Sequence, residues 1–463
     1  MKHTISKLIS KERLKLFITG KTMSFGVGYV AFLGGRLLRD LLLARILGAG
    51  SFGAWAALNI LRQYGNYSDA GLMNGLAREL PKIKDDKAQA SELSGLAVFG
   101  TIIGTAFVLL WVLLIKPEGF KTDDISWIAL SLMILFICFE KSYKYFNALL
   151  LGFDQVKAAG LWLACLSILD LILAITGAYF WGVEGLLSGT VLAIFITAVA
   201  MNYNKPVSIK FKYSFVTLKN LLLSSILLMC FGLLNIALHN FDRTVFLFLN
   251  GPDEILGSYH AASLFALAVS IIPFILCTVV NPYIYSLKSD SDSEFIKIVN
   301  STGLISCIVA SAGALLAFSI SPYILELFFP LQKHAVNIVP YLILGELFFA
   351  ASMIFDSILL VKNRGVHLLV GKFITLVVVM GSATFYFYSY SSSRSADLAV
   401  NLAKSMFLAQ VGCFGISFLL CYDVYKATKI KRSLFKILPW PLLLALTAFV
   451  IIYFSKASML WKV

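Results

Sequence analysis

GGRLLRDLLLARILGAGSFGAWAALNILRQYGNYSDAG, residues 34–71, sets two apolar runs on either side of a glycine-rich turn. Followed outward, each run reaches the roughly 20 apolar residues that a helix needs to cross a bilayer. The first run carries Arg36, Arg39 and Asp40. The second carries Asn59, Arg62, Asn66 and Asp69. Any reading must explain both the apolar length and the charges set within it, because charge near a bilayer centre is expensive.

The rest of the chain has the same character. Of 463 residues, 59% are hydrophobic and 14% charged, and mean hydropathy is +0.84. Soluble domains average about 25% charged residues. A water-soluble globule is excluded, and so is a disordered chain. The seven Cys (138, 165, 230, 277, 307, 413, 421) fall in apolar stretches. They read as small buried hydrophobes, not as bridges or metal ligands. The formal charge of +14 reads as topology rather than nucleic-acid binding, because basic residues are retained on the cytoplasmic face. The basic N-terminus, MKHTISKLISKERLKLFITGK, lacks a compact apolar core with a cleavage site and is expected to be a retained cytoplasmic leader.

These features predict an all-α polytopic membrane protein. Thirteen spans are expected near 17–46, 52–77, 91–115, 125–150, 155–181, 183–203, 219–249, 255–287, 295–319, 335–361, 367–390, 396–422 and 434–455. With the N-terminus inside, 27 of the 39 Lys and Arg fall in inner segments, six in outer segments and six within spans. That alternation supports the spans and the orientation. The loops are too short for a soluble catalytic domain.

An internal repeat organises the spans. Asp40 and Asp242 each stand seven residues before a Leu (Leu47, Leu249) that opens an outer turn. The turns close on Phe52-Gly53-Ala54-Trp55 and Leu256-Gly257-Ser258-Tyr259. Phe146-Asn147-Ala148-Leu149-Leu150 is echoed by Phe355-Asp356-Ser357-Ile358-Leu359. The expected plan is two six-helix lobes in parallel repeat, 1–203 and 221–422. A basic cytoplasmic linker at 204–220 joins them, and 423–463 adds a basic loop and an extra C-terminal hydrophobic helix. Repeat-built transporters hold substrate between repeats near the midplane.

Arg36, Arg39 and Asp40 share one helix face, and Arg36 and Asp40 are spaced i,i+4 and could pair. Arg36 lies ten residues below the outer end of its span, about 15 Å at 1.5 Å per residue. Asn59, Arg62, Asn66 and Asp69 form one polar stripe. Asn235, His239 and Asp242 form another with Arg243 at its edge, the twelfth span adds Lys404, and Asp170 and Glu346 lie deep in the fifth and tenth. These charges either neutralise one another and fix packing, or line a wet cavity with surplus positive charge. In the second reading Arg36, Arg39, Arg62, Arg243 and Lys404 would hold an anionic headgroup, since guanidinium forks match phosphate oxygens. Asn59, Asn66 and Asn235 add neutral hydrogen-bonding groups to those stripes. Asp40, Asp69, Asp170, Asp242 and Glu346 are candidates for ion coupling or charge pairing. No cofactor or metal is expected. Coupling to an H⁺ or Na⁺ gradient and pull by product consumption both remain open.

LLLARILGAGSFGAW followed by YGNYSDAGLMNGLARELPK resembles the opening of the polysaccharide transporters of the MOP superfamily, the Wzx-type O-antigen flippases. The resembling residues are Ala44-Arg45, Leu47-Gly48, Phe52-Gly53, Trp55 and Asp69-Ala70-Gly71-Leu72. FDRTVFLFLNGPDEILGSYHAA, with Pro282 beyond it, resembles that family's seventh and eighth spans. The resemblance implies a V-shaped pair of lobes with a cationic central cavity. It implies transfer of a polyprenyl (undecaprenyl) diphosphate-linked oligosaccharide, an O-antigen unit, to the outer leaflet of a bacterial inner membrane. A polysaccharide polymerase and a chain-length regulator are its implied partners, besides the lipid bilayer. Nucleic acid is not a partner. Two rival classes remain. A multidrug or small-solute cation-coupled antiporter shares the architecture but would favour acidic cavity residues. A membrane glycosyltransferase, polymerase or ligase would need a larger charged outer loop.

Overall fold

The computed structural model describes residues 20–115, 125–210, 214–248, 253–286, 292–329, 335–361, 364–389, 395–427 and 439–456. Every regular element among them is an α-helix. In chain order they are α1 (Gly20–Gly65), α2 (Leu72–Ile83), α3 (Lys87–Ile115), α4 (Trp127–Gly152), α5 (Val156–Tyr203), α6 (Phe215–Phe248), α7 (Asp253–Ser286), α8 (Asp292–Phe328), α9 (Ala335–Val361), α10 (Gly365–Ser389), α11 (Ser395–Ala427) and α12 (Pro439–Lys456). Most of the leader, the outer turn at 249–252 and the basic stretch 428–438 lie outside the described residues.

Nine helical stretches among the described residues are long and apolar enough to cross a bilayer. Two of them, Phe25–Gly65 and Val156–Tyr203, run for 41 and 48 residues. At 1.5 Å per residue that is about 60–70 Å, enough for two crossings each. The first is broken at Gly48 (φ 76°), and the second at Trp181 and Gly182, the latter at φ 59°. A side chain at a left-handed φ is strained, so glycine sets both breaks. They fall where the sequence separates spans 17–46 from 52–77 and 155–181 from 183–203. α4 is long enough to cross, but Glu140, Lys141 and Lys144 interrupt its apolar run.

The expected span 52–77 is not one helix. α1 ends at Gly65, and a turn with Ala70 at φ 51° and Gly71 at φ 75° separates it from α2. Asp69 is the cause. Its carboxylate accepts the backbone N–H of Gly71 at 3.3 Å and of Met73 at 3.2 Å, satisfying donors that a new helix start leaves open. α2 is amphipathic. Leu72, Met73, Leu76 and Leu80 pack with Leu93, Tyr145, Leu149 and Leu221, while Asn74 and Arg78 face outward.

The chain forms two compact units, residues 24–257 and residues 258–463 with 1–23. The division falls inside α7, so α6 belongs to the first unit. In that unit the first halves of α1 and α5 run side by side. A Cβ at Gly28 would strike the carbonyl of Gly160, and one at Gly35 would strike the Ser167 hydroxyl. The same increment of seven residues on both helices defines a parallel pair. Ser167 Oγ donates to the Ala31 carbonyl at 2.8 Å, and the next meeting point up this seam is Arg39 with Asp170. α6 approaches α2 closely as well, with Gly71 against Met229 and Gly75 against Ser225.

The second unit is built on α9, which packs against α8, α10 and α11. Phe348 and Phe355 of α9 meet Phe414 and Phe418 of α11 edge to face, at ring separations of 5.6 to 5.8 Å. α12 packs on α8 and α9 and begins at Pro439, whose missing N–H costs nothing in a first turn.

Candidate functional site

The first unit gathers most of the charges singled out by sequence. Arg39 is buried and saturated. Its Nη1 donates to Asp170 at 2.6 Å, and its Nε and Nη2 donate to Asp40 at 3.0 and 2.8 Å. Its guanidinium lies 5.3 Å from the Trp55 ring centre. Asp40 therefore pairs with its sequence neighbour and not with Arg36 one turn below. The seam of α1 on α5 explains the choice, because it brings Asp170 to the same guanidinium.

Arg62 is held by α4. Its Nη1 donates to both oxygens of Glu140 at 3.0 Å, and its Nε donates to Asn59 Oδ1 at 2.9 Å. Asn66 Nδ2 donates to the same Glu140 carboxylate at 3.1 Å. One turn inward, Lys141 donates to Asp69 at 2.9 Å and to the Asn66 carbonyl. Asp69 is thus a helix cap and a buried counter-ion together. Glu140 and Lys141 were missed by sequence reading. Their signal was the one that exposed Arg36, charge within an apolar span, but Lys141 and Lys144 were credited to the inner border.

Arg36 differs from these. It makes no hydrogen bond or ion pair among the described residues, and its Nε is buried without a partner. The guanidinium rests 4.3 Å from the Phe32 ring centre. It lies within electrostatic range of Arg62, Glu140, Arg39 and Asp170. Tyr143 Oη is also buried without a hydrogen-bond partner and lies within range of Arg36 and Glu140. Buried donors without acceptors are uncommon and mark sites of strain or ligand binding. Lys144 of α4 makes no hydrogen bond or ion pair among the described residues and interacts electrostatically with Glu140 and Arg62.

The remaining predicted residues are more dispersed. Asp242 and Arg243 of α6 are buried; Arg243 Nε lies 3.8 Å from Asp242, and Arg243 Nη2 donates to the His239 carbonyl at 3.2 Å. Asn235 is half-buried two turns earlier on α6. α6 is tied to α1 by Asn240 donating to Gln63 at 2.8 Å and by a 3.4 Å contact of Tyr64 with Thr244. In the second unit Glu346 is buried on α9. Lys404 is exposed on α11, 5.5 Å from the Tyr341 ring centre and 3.4 Å from Asn401. A cavity of about 400 Å³ in the first unit is lined by Val98, Thr101, Cys138, Lys141, Tyr145 and neighbours. It contains none of the predicted site residues.

Helices of this number and length, with paired charges buried between them, are those of a multi-pass membrane protein. The family model described as "Polysaccharide biosynthesis protein" matches residues 42–332, and the chain belongs to that family. Among solved structures it resembles an inward-facing multidrug resistance MATE family transporter of the MOP superfamily, at TM-score 0.67 and 16% identity over 86% of this chain and 96% of that one. An outward-facing MATE transporter matches at TM-score 0.65 and 14% identity over 88% and 96%. A Vibrio cholerae MATE transporter matches at TM-score 0.64 and 11% identity over 88% and 96%. The fold is therefore that of the MOP transporters. No curated protein matches the chain.

Proposed function

We propose that the chain is a flippase. It carries a polyprenyl-diphosphate-linked oligosaccharide, an O-antigen repeat unit, from the inner to the outer leaflet of a bacterial inner membrane by alternating access. Arg36 carries this reading. A guanidinium with a buried, unpartnered Nε, set among arginines already neutralised by carboxylates, is suited to an arriving anion with several oxygens. The family match supports a polysaccharide-linked cargo. Arg62, Asn59 and Asn66 stand beside Arg36 as headgroup and sugar ligands, with Arg39 supporting the field. Arg243 and Asn235 of the same unit complete the set there, and Lys404 is a further proposed anion ligand of the second unit. Asp40, Asp69, Asp170, Asp242 and Glu346 act as charge partners, and any H⁺ or Na⁺ coupling runs through differential affinity for the two states.

A second reading, a cation-coupled multidrug antiporter, is favoured by the multidrug resistance transporters among the structural neighbours and by the carboxylates beside the arginines. Proteoliposomes separate the two. The flippase reading expects translocation of a fluorescent polyprenyl-diphosphate saccharide, lost in R36Q. Efflux of cationic dyes without movement of the lipid would favour the antiporter.

A further inference from the structure

Glu140 interacts electrostatically with Arg62, Lys144 and Arg36. It now holds Arg62 across to α1. Lys144 lies one turn further along α4, half-buried, with no hydrogen bond or ion pair among the described residues. The spacing is i,i+4 with the acidic residue first, the order that favours a pair along a helix. The other charged groups facing Glu140 are Arg36 and Lys141. Lys141 is already committed to Asp69 at 2.9 Å.

We propose that Glu140 is an internal competitor for the anion site and that Lys144 is its alternative partner. In the empty site the carboxylate occupies Arg62. When a diphosphate enters between Arg36 and Arg62, Glu140 turns to Lys144 and releases the Arg62 guanidinium to the ligand. This rests on the reading of Arg36 and Arg62 as headgroup ligands. The physical reason is the cost of an uncompensated buried carboxylate: a ligand that evicts Glu140 from Arg62 binds well only if Glu140 finds another cation. The exchange also makes a threshold. A small monovalent anion cannot outcompete a carboxylate already held by Arg62 and Asn66, whereas a diphosphate, with more charge and oxygens that fit the guanidinium fork, can. Glu140 and Lys144 are therefore residues that set specificity.

The test is calorimetric titration of the purified full-length chain with geranyl diphosphate at constant pH. E140Q should bind about tenfold tighter, because the competitor is gone, a gain of about 1.4 kcal/mol. K144Q should weaken binding about tenfold in the native background and have no effect in the E140Q background. K144R should restore native affinity, and this arm stands even where E140Q fails to fold. R36Q tests the underlying reading: unchanged binding there overturns the site itself. Lost binding in R36Q, with an equal cost of K144Q in both backgrounds, overturns the exchange alone. Uptake of one proton per ligand in the native chain and none in E140Q also overturns it, since Glu140 would then leave Arg62 by protonation.

Discussion

Two cations set within long helices, one in each unit, have opposite environments. Lys372 of α10 is almost fully buried and saturated. It donates to Asp356 at 2.5 Å, and Ser417 donates to the other oxygen of that carboxylate at 2.7 Å. Arg36 of α1 is half-buried, with a buried Nε that has no partner. Both pay for leaving water, but only Lys372 recovers that cost within the fold. The difference separates a charge kept for packing from a charge kept for a ligand, and stability measurements should tell them apart.

Breaking the closed pair should have the largest effect on stability. K372M or D356L alone strands a buried charge, and each should destabilise the protein by about 3–5 kcal/mol. The double variant K372M/D356L should recover most of that loss, as read by thermal unfolding in detergent. G48A sharpens the comparison from the backbone side. A Cβ at φ 76°, ψ 178° should cost about 1–3 kcal/mol, although open space surrounds that position. R36Q should leave the unfolding temperature unchanged or raise it, because it removes a charge without breaking a pair. A drop as large as that of K372M would place Arg36 in the packing class and end the contrast. The smallest effect belongs to Lys84 and Asp154, an exposed pair at 2.5 Å on the water side. The hydrogen bond to Asp154 raises the Lys84 pKa. K84M should nonetheless leave the unfolding temperature unchanged, as exposed pairs contribute little.

Much of the helical plan was legible because its signals are local. Apolar length gave the spans and the approximate places of the breaks, which the structure sets at Gly48 and Gly182. The split of span 52–77 was hidden because Asn59, Arg62, Asn66 and Asp69 keep helical spacing in sequence. Only the capping bonds of Asp69 to Gly71 and Met73 reveal that the last two sit in a turn. The site was legible as residue types but not as partners. Arg39 lies one residue from Asp40 and far from Asp170 in sequence, and it binds both. That outcome depends on the seam of Gly28, Gly35 and Ser167 between α1 and α5. Glu140 was overlooked because its meaning comes from Arg62 across the unit and not from its own helix.

The most direct test compares native, R36K and R36Q chains in proteoliposomes carrying a fluorescent polyprenyl-diphosphate saccharide, with transfer between leaflets followed by quencher accessibility. The native chain should transfer the lipid, R36K, which keeps the charge but loses the fork, should do so at a partial rate, and R36Q should be at least tenfold slower, or about 1.4 kcal/mol. Equal transfer by all three would contradict the proposed role of Arg36.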